Sequence, residues 1–108
     1  MLVTVHHQIR DPKLWTKTSR AVMADMERGK LPDGLKGLMY LPSTDGHQAD
    51  CLWEADRLDH LKSFLDGRTG KAAKNEYFEV NCSAAVGVPP HEEAPTEEPV
   101  EAAMHMGM

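Results

Sequence analysis

The residues of this sequence best suited to chemistry are histidines, carboxylates and phenols set at alternate positions in short β-branched runs. His6 follows Val3–Thr4–Val5, Asp50 and Glu54 bracket Cys51–Leu52–Trp53, and Tyr77 and Glu79 flank Phe78. An imidazole beside a carboxylate and a phenol can act as a general base, or can bind a first-row metal ion if a third ligand joins. The plainer alternative is a strand histidine hydrogen-bonded to its neighbour with no further role. His47 stands beside a turn, where it is either solvated or brought up to His6 as a second imidazole. His7 has the opposite parity to His6 and reads as a packed histidine, unless a one-residue bulge exchanges the two. The C-terminal Met104–His105–Met106–Gly107–Met108 offers thioether and imidazole donors that suit Cu(I) or, with His91, a borderline metal. No phosphate-loop, dinucleotide, zinc-protease or serine-hydrolase motif is present.

The elements that must position these groups can be read from period and punctuation. Residues 2–9 alternate as a strand, with Val3, Val5, His7 and Ile9 on one side and Thr4, His6 and Gln8 on the other. Asp11 is a helix N-cap with Pro12 at the first helical position. Trp15, Val22, Met23 and Met26 then make an apolar stripe over residues 11–28, and Gly29 stops it. Residues 35–41 form a strand ended by Pro42, Ser43–Thr44–Asp45–Gly46 a hairpin turn, and residues 47–55 the next strand. A second helix begins near Asp56, buries Leu58, Leu61, Phe64 and Leu65, and ends at Gly67. Residues 75–84 alternate as a fourth strand, with Phe78, Val80 and Cys82 opposing Tyr77, Glu79 and Asn81.

The order βαββαβ predicts an α+β, ferredoxin-like domain with an antiparallel sheet of order 4-1-3-2 and both helices on one face. If Val3, Val5 and Ile9 face the helices, the other face carries His6, Tyr40, Asp50, Glu54, Tyr77 and Glu79. That ordering sets His6 level with Asp50 on one side and Tyr77 on the other. Residues 1–87 form this domain, whereas residues 88–108 combine four prolines with five glutamates, lack aromatic residues, and read as a disordered acidic tail.

The chain carries 12 Lys and Arg against 17 Asp and Glu, and five of those acidic residues lie in the tail. The domain is therefore balanced and has no basic field for nucleic acid. No apolar run reaches bilayer length and the N-terminus lacks a signal-peptide pattern, so the expected location is cytoplasmic, away from membranes. Cys51 and Cys82 sit in predicted strands without metal-ribbon spacing and read as buried thiols. A domain this small leaves one sheet face to cover, and the default expectation is a homodimer.

This pattern resembles the dimeric α/β-barrel superfamily. The likeness rests on Cys51–Leu52–Trp53–Glu54–Ala55 leading into the second helix and on Asn75–Glu76–Tyr77–Phe78–Glu79–Val80 as the last strand. It implies two sheets paired face to face around a ligand cavity away from the helices, as in antibiotic-biosynthesis monooxygenases and small nickel-binding proteins. The segment from Phe64 to Lys74 also resembles the iron-ligating helix of the haem-degrading branch. There Lys74 replaces the ligand histidine and Phe64 the tryptophan, which counts against haem oxygenation. Three functions follow as expectations. One is a small-molecule or divalent-metal (for instance nickel) binding protein that uses the dimer barrel cavity, with His6 and His47 as the metal ligands. The second is a cofactor-free monooxygenase-like oxidoreductase or isomerase acting on a small aromatic substrate. The third is a non-catalytic interaction module.

Overall fold

A computed structural model of the chain describes residues 1–91. Strand β1 (Leu2–Ile9) is followed by helix α1 (Pro12–Glu27), strands β2 (Leu35–Pro42) and β3 (Gln48–Ala55), helix α2 (Leu58–Thr69) and strand β4 (Ala73–Glu79). The four strands make one antiparallel sheet of order β2-β3-β1-β4, the ferredoxin-like arrangement read in the opposite direction from 4-1-3-2. No described helix is long and apolar enough to cross a membrane. Residues 92–108, with most of the expected tail and its Met/His cluster, lie outside the described residues.

Both helices bury their apolar stripes against the same face of the sheet. Val22 from α1 and Leu61 and Leu65 from α2 pack on Val3, Val5, Leu35, Trp53 and Ala55. Asp11 caps α1 as its spacing requires, its carboxylate accepting from Leu14 N–H at 3.1 Å with Pro12 just inside the helix. Helix α2 runs through Gly67 to Thr69. The extra turn persists because Thr69 is 3% exposed and its hydroxyl donates to the Leu65 carbonyl at 2.9 Å.

Two departures from strict alternation change which side chains share a face. In β2 the pairing with β3 slips by one residue between Gly37 and Met39, a β-bulge that reverses the parity of everything after it. Leu35 and Gly37 lie on the helix side before the bulge. After it, Tyr40 takes the helix side while Met39 and Leu41, 43% and 57% exposed, turn outward. In β4, Tyr77 lies opposite Val5 and Asn75 opposite His7, so these polar residues point under the helices and Phe78 faces out at 58% exposure. The strand also starts at Ala73 and stops at Glu79, which leaves Cys82 outside it. The reason is local: Asp66 on α2 and His7 on β1 offer hydrogen-bond partners that only Asn75 and Tyr77 can use.

Candidate functional site

The sheet divides the residues singled out from the sequence between its two faces. On the open face, His6 and Asp50 sit opposite each other on β1 and β3, and the His6 Nδ1–H donates to Asp50 Oδ1 at 2.6 Å. Gln8 donates to Glu76 Oε1 nearby at 3.2 Å, and Glu54 shares the parity of Asp50. The other three residues expected there belong to the helix side. The bulge moves Tyr40, and Tyr77 and Glu79 pair with Val5 and Val3, which face the helices. His47 does not join His6: it precedes β3 in an exposed bend, and its carbonyl accepts from Ile9 N–H, three residues along β1. Among the described residues no group of three His, Cys, Asp or Glu side chains is close enough to hold a metal ion.

Beneath the helices, a row of polar side chains crosses all four strands: Tyr40 on β2, Cys51 on β3, His7 on β1 and Asn75 on β4. Its proton positions follow from the ends. The Asp66 carboxylate can only accept, so it takes Tyr77 O–H at 2.6 Å and Asn75 Nδ2–H at 3.0 Å, while the same amide nitrogen also donates to Thr69 Oγ1. The Asn75 oxygen is thereby turned to His7 and accepts Nδ1–H at 2.6 Å. His7 Nε2 is left with its lone pair, and Cys51 Sγ lies 3.0 Å from it as the donor. His7 is 1% exposed and its ring lies 4.7 Å from that of Trp15, whose Nε1–H donates to Tyr40 Oη at 3.1 Å.

Burial keeps this row neutral. Desolvation holds the His7 imidazole below its ordinary pKa, against the opposing bond to Asn75. It pushes the Cys51 thiol up to about 12, and together with the Asp66 carboxylate it raises the Tyr77 phenol. The pair is thus thiol and imidazole, not thiolate and imidazolium.

Cys51 also lines a cleft of about 120 Å³ between α1 and the β2–β3 half of the sheet. Its walls are mainly Trp15, Val22, Met23, Met26 and Trp53, with Tyr40 and Thr69 as polar points. The cleft exists because β2, the sheet edge beyond β3, carries small or outward-turned residues where α1 passes over it. A Cβ on Gly37 would collide with the Met26 sulfur, so glycine lets this thioether lie against the strand. The stripe Trp15–Met23–Met26 was visible in the sequence as core. The signals that it walls a cleft, Gly37 and the bulge, were there only as a glycine inside a strand.

The sequence matches no protein-family model, and no curated protein aligns with it significantly.

Proposed function

We propose that this protein binds a small, largely apolar, ring-sized ligand in the cleft between α1 and the β2–β3 edge. The observation that carries this reading is the cleft itself. A volume of ~120 Å³ lined by two tryptophans and three methionines is close to the ~150 Å³ at which an apolar protein cavity accepts benzene. Aromatic and thioether walls favour flat ligands, and Tyr40 Oη supplies a polar point of the kind such sites use for orientation. This places the ligand under the helices and leaves the open face to a second copy of the chain. Met39, Leu41 and Phe78 on that face support a homodimer paired sheet to sheet, as the likeness to dimeric barrels implies.

Trp15 and Trp53 both line the cleft, so ligand entry should perturb the intrinsic fluorescence. Titration with a small non-fluorescent ring compound such as cyclohexanone should give a saturable change. Ser19→Phe, which fills the cleft from α1, should abolish that change while thermal unfolding stays cooperative. An unaltered titration in Ser19→Phe would refute the reading.

A second reading, a divalent-metal site, is favoured by one detail of the open face. Asp50 accepts from His6 Nδ1, and a carboxylate behind an imidazole is the usual support for a metal ligand at Nε2. Among the described residues one protomer supplies too few donors, so the ion would be shared across a dimer. Native mass spectrometry with nickel should then show metal bound to dimer only and lost in His6→Ala. Metal retained by that variant would eliminate this reading.

A further inference from the structure

The polar row under the helices has the parts of a nucleophilic site and opens into the proposed ligand cleft. Cys51 brings a soft nucleophile to the cleft wall. The Nε2 lone pair of His7 faces its sulfur at 3.0 Å, with the tautomer enforced through Asn75 and Asp66. Tyr40 lies directly across β2–β3 from Cys51 and also lines the cleft, and one of its lone pairs is occupied by Trp15 Nε1–H, which leaves its own O–H to donate. Nucleophile, base and acid therefore come from three adjacent strands of a rigid sheet and point to one side.

We propose that Cys51 is a covalent capture site for small α,β-unsaturated carbonyl compounds, with His7 as its base and Tyr40 as the donor to the carbonyl oxygen. This rests on the reading of the cleft as a ligand site. In the step, the Cys51 S–H proton passes to His7 Nε2 as sulfur bonds to the β-carbon. The C=C electron pair shifts to an enolate whose oxygen accepts from Tyr40. The α-carbon then takes the proton back from His7. The product is a thioether carrying the intact saturated carbonyl compound, and no oxidant, reductant or leaving group takes part. Neutral, soft, apolar electrophiles fit because the thiol is uncharged and the walls exclude charged reagents. An acyl-transfer role is less well served, since the row offers a single donor to an oxyanion.

The test uses the full chain with Cys82→Ser, which leaves one thiol. It is incubated with 2-cyclohexen-1-one and followed by intact mass, with the adduct located by peptide digestion. One equivalent should add at Cys51, and His7→Gln should slow addition by at least ~100-fold, the low end for loss of a positioned base. The pH profile gives a second readout that needs no His7 variant. The charged groups acting on His7 are His6 and Asp50 on β1 and β3, and Asp66 on α2, to which Tyr77 is bonded. With imidazole as base, the rate levels off once His7 is neutral and stays flat from about pH 7 to 9. A thiol ionising unaided, with its pKa near 12, would instead react about tenfold faster per pH unit over that range. Such a climb, or addition no faster than to N-acetylcysteine, would overturn the proposal. Cyclohexanone, which cannot add, separates the two readings. If it perturbs the tryptophan fluorescence while cyclohexenone leaves no adduct, covalent capture fails and the cleft stands; if neither compound binds, both fall.

Discussion

A neutral histidine locked beneath two helices should make the fold acid-sensitive in a way that can be assigned to a single residue. His7 is almost fully buried, and burial lowers its pKa in the folded chain relative to the unfolded one. The sign follows from linkage. Above pH ~6.5 neither state is protonated at this site and stability is at its full value, whereas below it the unfolded chain binds a proton that the folded chain resists. Stability therefore falls with falling pH, at up to ~1.4 kcal/mol per unit, until the depressed folded pKa is reached. Between pH 8 and 5.5 the loss is bounded at about 1.4 kcal/mol, a sizeable part of the margin of a small domain. Acid acts on a folded chain through many groups at once. The comparison must therefore be between variants. Urea unfolding at pH 8, 6.5 and 5.5 should show that His7→Gln, although less stable at pH 8, loses less stability on acidification than the wild type. Parallel losses in the two proteins would refute the claim that His7 is held neutral by its surroundings.

Other consequences of the same geometry are open to direct test. Tyr77→Phe removes the hydroxyl from Asp66 while Asn75 still satisfies the carboxylate, so it should cost only about 1 kcal/mol in urea melts. Asp11→Ala deletes the α1 cap and should lower stability by about 1 kcal/mol, with Asp11→Asn restoring most of it. Leu61→Ala, at a wholly buried position between α2 and the sheet, should cost ~2–5 kcal/mol and sharply lower the thermal midpoint. Phe78→Glu places a charge on the β4 edge of the open face and should yield monomer in sedimentation velocity without altering the circular dichroism spectrum. A dimer unaffected by it would show that the open face is not the interface.

Much of the fold was legible because its elements carry both pattern and punctuation. Strand β1 was bounded by alternation on one side and Asp11–Pro12 on the other, and the βαββαβ order then required a sheet with β1 and β3 at its centre. The pairing of His6 with Asp50 followed from that order alone. What stayed hidden depended on contacts between elements. Within residues 35–42 only Gly37, a glycine inside a strand, hints at the slip that follows it, yet that slip decides that Tyr40 joins the core and Leu41 leaves it. In β4 the assumption that the aromatic Phe78 turns inward failed because Asp66 and His7 reward Asn75 and Tyr77 for doing so. The approach of Cys51 to His7 was within reach: with β1 and β3 antiparallel, the two lie diagonally across the pair on the helix-facing side. Reading both as packed residues left the pair unnoticed.

Methionine methyl NMR tests the central claim most directly. Met23 and Met26 line the cleft, whereas Met1 packs on the core cluster and is not among its walls. Titrating selectively methyl-labelled protein with indole should shift the Met23 and Met26 signals along one saturable curve and leave Met1 in place. Shifts that never saturate, or that appear at Met1 with Met23 and Met26 unmoved, would contradict a ligand site between α1 and the sheet edge.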